Sequence, residues 1–110
     1  MKVEQKGHTT IIKDTQGNIN NFLEKVTHDY NSLKKQNLIL DVSHDNNVTI
    51  KDIIAFSDLS KTHKKEKKSF VIVAENIDFN EVPSKIIVVP SILEAHDIIE
   101  MEEIERDLGF

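Results

Sequence analysis

Three short runs constrain this chain more than anything else in it: Leu38-Ile39-Leu40-Asp41-Val42, Phe70-Val71-Ile72-Val73-Ala74 and Ile86-Ile87-Val88-Val89. Each is too short for a typical helix and almost continuously apolar. A strand with one face in water alternates apolar and polar residues, whereas a strand covered on both faces need not. Doubly covered strands belong to parallel sheets whose connections are helices packed on the faces. The segments between the runs fit that role. Ile19, Phe22, Leu23, Val26, Tyr30 and Leu33 recur at steps of three and four and form one apolar stripe. Thr49 with Asp52 has the spacing of a capping box, which opens a second helix running to about Lys67. The three runs are therefore expected to be adjacent strands of one sheet, with Ile39, Ile72 and Val88 strongly buried.

The rest of the chain completes the pattern. Lys2–Lys6 and Thr9–Lys13 read as two short strands about a Gly7-His8 turn. Residues 14–18 are a loop, with Asn18 or Asn21 available to cap the first helix. Ser43–Asn47 is a polar loop, and residues 75–85 form a connection anchored by Ile77, Phe79 and Val82. Pro90 stops the third run, Ser91 and Glu94 have capping-box spacing, and a last helix runs to Leu108 with Gly109 past its end. The order is β-β-α-β-α-β-β-α, an α/β class with a mixed sheet. It fills one domain, 1–110, in which 100–110 is a C-terminal helical extension.

Composition narrows the function classes. The chain has 110 residues, 38% hydrophobic and 30% charged, with a net charge of −5. That composition suits a folded soluble domain. No apolar run approaches the roughly 18 residues of a membrane span, and Met1-Lys2-Val3-Glu4-Gln5 has no apolar core of a signal peptide. With no cysteine there is no disulfide, thiolate nucleophile or thiolate zinc site. A cytoplasmic location is expected.

Two resemblances emerge from these residues. Leu40-Asp41-Val42-Ser43 is similar to the LDLS-type end of the central strand in STAS domains, the sulfate-transporter and anti-sigma-factor-antagonist family. Ser91-Ile92-Leu93-Glu94-Ala95 is similar to the S-x-x-E-A start of that family's last helix. The element order resembles it over almost the whole chain. The tail from Val89-Pro90-Ser91-Ile92 through to Leu108-Gly109-Phe110 resembles that of small Bacteroidetes proteins often labelled ribonuclease Z, which look like companions of that nuclease. The first resemblance implies a regulatory protein-binding module. It also implies a phosphorylated hydroxyl in a D-S-S/T-G motif at the start of the second helix. Alignment from Ser43 puts Thr49-Ile50-Lys51-Asp52 there, without the glycine or the serine, and leaves Thr49 as the phosphorylation or phosphate site.

Catalytic constellations are absent from the sequence pattern. Ribonuclease Z grips two metals with H-x-H-x-D-H, whereas His8, His28, His44, His63 and His96 stand at least sixteen residues apart. Ser43, His44 and Asp45 are adjacent, which works against a triad whose members converge from different directions, and a polar turn is the plainer reading. Thr49 as a plain N-cap competes with Thr49 as a phosphate site. Lys61, Lys64, Lys65 and Lys68 would share a helix face, but a pI near 5.5 speaks against nucleic acid and for a solvated helix end. No enzyme activity, cofactor or metal is expected.

What remains is surface. The second helix is apolar nearly all round, which offers Ile50, Ile54, Phe56 and Leu59 to a neighbouring helix or to a partner. In the last helix Ile92, Ala95 and Ile99 suit the sheet. Met101, Ile104 and Leu108, with Ile98 leading in and Phe110 beyond, form a second stripe among seven acids. That stripe either folds back on the second helix or meets a partner. The leading expectation is a non-enzymatic STAS-type interaction module with a protein partner. A regulatory companion of ribonuclease Z and a nucleotide- or phosphate-binding regulatory domain stand behind it. A homodimer is one form the partnership can take, and no membrane is involved.

Overall fold

A computed structural model describes residues 1–109. Five strands, β1 (Lys2–Lys6), β2 (Thr9–Lys13), β3 (Asn37–Asp41), β4 (Phe70–Val73) and β5 (Ile87–Val89), form one sheet in the order β1-β2-β3-β4-β5. Gly7, at φ +61°, turns β1 back on β2 in antiparallel pairing, with Lys2 opposite Lys13. All later pairs are parallel, with Leu38 beside Phe70 and Val71 beside Ile87. The sequence of elements along the chain is close to the β-β-α-β-α-β-β-α expected, and the three apolar runs are neighbours in one sheet.

Each parallel strand is added on the same side of the one before. Right-handed crossovers then place every connection on one face. On that face Ile12, Leu38, Leu40, Phe70 and Ile72 meet α1 (Ile19–Leu33) through Ile19, Phe22 and Val26, and the next two helices through Ile53, Phe56 and Leu59. The alternate residues Ile39, Val71 and Val73 point the other way and meet only α4 (Ile92–Asp107), through Ala95 and Ile99. One helix thus covers a face that several elements cover on the other side.

Three details depart from the sequence reading, and a choice it left open, the cap of α1, is settled. The segment expected as one helix from Thr49 to Lys67 is two, α2 (Ile50–Ile54) and α3 (Ser57–Lys65). Between them the Phe56 N–H bonds the Ile53 carbonyl, a tightened turn that brings Phe56 fully inside, against Phe22 at 6.5 Å between ring centroids. The phase shift at this break explains why the sequence looked apolar all round. Val88 is half-buried, because β5 is a three-residue edge strand; Ile86, just before it, takes the buried place. Phe79 lies on a single 3-10 turn and is 40% exposed, so Ile77 and Val82 alone anchor that connection. Asn18, not Asn21, caps α1, by accepting the Asn21 N–H at 3.2 Å.

Candidate functional site

The loop after β3 is the first place the sequence singled out. Asp41 accepts both the Ser43 N–H at 3.0 Å and the Ser43 hydroxyl at 2.6 Å. Asp45 accepts the Asn47 N–H at 2.9 Å, closing a second turn of the same kind. The Ser43 hydroxyl is therefore engaged by Asp41, and among the described residues Ser43, His44 and Asp45 do not assemble into a triad. Thr49 and Asp52 complete a reciprocal capping box: Thr49 Oγ1 accepts the Asp52 N–H at 3.2 Å, and Asp52 Oδ2 accepts the Thr49 N–H at 3.0 Å. The helix behind it is only five residues long. Thr49 thus serves as the N-cap of this short helix, with its hydroxyl engaged by the Asp52 N–H. Among the described residues no three His, Asp or Glu side chains assemble into a group that could hold a metal ion.

His63 is the residue that sequence reasoning passed over. It is fully buried at the end of α3. Its Nε2 lies 2.7 Å from the Gln36 carbonyl and its Nδ1 2.7 Å from the Tyr30 hydroxyl. A carbonyl only accepts, so Nε2 carries the proton and Nδ1 accepts from Tyr30. Phe70 presents an aromatic neighbour at 6.0 Å. Burial pushes the His63 pKa down, while the Gln36 carbonyl and Glu66 pull the other way. Burial and Glu66 push Tyr30 up. The signal in the sequence was helical spacing: Leu59, Ser60 and His63 share the inward face of α3.

The lysine run does not form the single face expected of it. α3 ends at Lys65, Lys67 takes a left-handed φ of +60°, and Lys68 lies outside the helix. Lys61, Lys64 and Lys65 instead join Lys85 around a groove of about 620 Å³ whose apolar lining comes from Pro83 and Ile86. Ser57 and Asp58 line the same groove.

The surface candidates separate by burial. Phe56 and Leu59 belong to the core and so leave the set of surface residues, Ile50 is half-buried, and Ile54 is 44% exposed on a five-residue helix. On α4 the outcome differs. Met101 is 59% exposed, Ile104 53% and Leu108 66%, and Leu93, which was not singled out, is 73% exposed. Ile98 leaves the stripe, because it packs half-buried against the sheet. Residue 110 lies outside the described residues. Leu93, Met101, Ile104 and Leu108 run down the helix at steps of eight, three and four, with Asp97 completing the line four residues from both Leu93 and Met101. The stripe does not fold back on α2 or α3: it is exposed, and the core contacts of those helices lie on the other face of the sheet.

α4 is held firmly by its other side. Ser91 Oγ accepts the Glu94 N–H at 3.2 Å, the one half of the expected box that forms. At the far end Arg106 donates to Ser69 Oγ at 3.1 Å and to Asn37 Oδ1 at 3.3 Å, and Gly109 at φ +83° ends the helix. Among the described residues no helix is long and apolar enough to cross a membrane. No protein-family model matches the chain, and no curated protein matches it.

Proposed function

We propose that the chain is a non-enzymatic interaction module of STAS type, which docks a protein partner on the outward face of α4. One observation carries the reading. A helix already packed through Ala95 and Ile99 leaves four large apolar side chains in water, in line along its opposite side. Burying each such side chain is worth about 1.5–3 kcal/mol, so a partner with a complementary apolar surface gains substantially from covering them. The flanking acids keep the free face hydrated and favour a basic partner. The order of elements along the chain is in keeping with the STAS resemblance at the level of architecture.

The segment that resembles the proteins labelled ribonuclease Z, Val89–Phe110, contains this helix. Ribonuclease Z is therefore the first partner to titrate. Calorimetric titration with the purified nuclease is expected to show binding that Met101→Asp/Ile104→Asp weakens by at least tenfold. Binding untouched by that variant would remove α4 as the docking face. No binding by the unaltered chain would remove this nuclease as the partner.

A further inference from the structure

The two unpartnered surfaces of this molecule complement each other. Seven acids against Arg106 give α4 a net charge of −6, which leaves +1 on the other residues of a chain whose total is −5. Two such helices facing one another would bring like charges together, so α4 is a poor match for its own twin. The lysine-lined groove is the opposite surface: Lys61, Lys64, Lys65 and Lys85 rim it, with the Lys64 ammonium donating to the Lys85 carbonyl, beside half-buried Pro83. We infer that this groove, between α3 and the Pro83–Ile86 segment, receives the exposed stripe of α4 from a second copy of the chain. The inference rests on the docking role proposed for α4 and names its occupant.

Asp97 sharpens the match. It stands within the stripe, between Leu93 and Met101, where a purely apolar groove would strip its carboxylate of water and return nothing. A groove rimmed by Lys61, Lys64, Lys65 and Lys85 supplies a counter-charge, while half-buried Pro83 and the methylene stems of the lysines take the apolar side chains. Asp58 is the one carboxylate in the lining, outnumbered four to one by lysines. The two surfaces are different patches, the groove on the α3 side of the sheet and the stripe on the α4 side. A contact between different patches is heterologous: each copy uses α4 toward one neighbour and its groove toward the next, so assembly proceeds head to tail into a ring or an open chain.

The test is sedimentation velocity on three preparations: the unaltered chain, the groove variant Lys61→Glu/Lys65→Glu and the stripe variant Met101→Asp/Ile104→Asp. All substituted positions are solvent-exposed, and circular dichroism of each variant is to be compared with that of the unaltered chain to check folding. The unaltered chain is expected to grow past a dimer as concentration rises, and to retreat by several-fold in affinity between 0.05 and about 0.5 M salt. Each variant alone is expected to be monomeric. Mixed in equal amounts, the two should form a heterodimer and stop there, because each retains the one face the other has lost. An unaltered chain that stays monomeric to about 1 mM, an assembly indifferent to the groove variant, or variants that fail to pair on mixing would each overturn the inference. If the chain is monomeric while the stripe variant still loses a different protein partner, self-assembly falls and the docking role of α4 stands.

Discussion

His63 sets the terms at the scale of single residues. Held neutral between Gln36 and Tyr30, it makes folding depend on pH with a definite sign. Its folded pKa lies below the ordinary value of 6.5. Above 6.5 the imidazole is neutral in both states and the linkage contributes nothing further. Below it the unfolded chain takes up a proton that the folded chain resists, so stability falls as pH falls, until the lowered folded pKa is reached. One proton limits the slope from this group to about 1.4 kcal/mol per pH unit. Urea unfolding of the protein and of His63→Phe, between pH 7 and 5, is expected to show the smaller slope in the variant; equal slopes would exclude His63 as the linked group. Tyr30→Phe is expected to cost about 1–3 kcal/mol, because it leaves Nδ1 buried and unpaired. Thr49→Ala is expected to cost about 1 kcal/mol at any pH between 6 and 8, the worth of a cap. The Thr49 box was legible because its partners are three residues apart. The His63 site was not, because Tyr30 and Gln36 are 33 and 27 residues away and only the folded topology brings them together.

Among the elements, the strands were legible and the second helix was not. β3 and β4 announce themselves because burial on both faces removes the need for polar positions, and every residue of both is buried. β5 carries the same apolar sequence on an edge, which is why Val88 reads as core and stands half-exposed. Composition cannot separate a central strand from an edge one; neighbour order decides it. The α2–α3 break was hidden for a related reason. Ile53, Phe56 and Leu59 are spaced at three and three, a sequence compatible with a helix whose stripe drifts, and the structure resolves the drift with a tightened turn. The C-terminus of α3 gives a prediction at this scale. Lys67 holds φ +60° just past the cap residue Glu66, a conformation that suits glycine. Lys67→Gly is expected to raise the unfolding free energy by about 0.5–1 kcal/mol. A destabilised variant in thermal unfolding would contradict that account of the α3 end.

Across the whole molecule the sheet is asymmetric: α1, α2 and α3 on one face, α4 alone on the other. That asymmetry follows from a strand order that never reverses. It also leaves the C-terminal stripe exposed, where the sequence allowed it to fold back on the second helix. Among the described residues Leu93, Met101, Ile104 and Leu108 are left largely in water, on the side of α4 away from the sheet. The sequence could show that α4 was apolar on two sides. It could not show which side the sheet would take, or that Leu93 belonged to the free one. Because the stripe stands outside the core, Met101→Asp/Ile104→Asp is expected to leave the protein folded, at a cost of about 1–2 kcal/mol in urea unfolding from the lower helix propensity of Asp and the added negative charge near the end of α4.

The docking role of α4 is tested most directly by a photo-crosslinking side chain placed at Met101 in the cell, with the same group at the exposed His28 of α1 as reference. The account predicts a discrete adduct from position 101, with another protein or with a second copy, and none from position 28. Equal labelling from both positions, or no adduct from position 101, would contradict it.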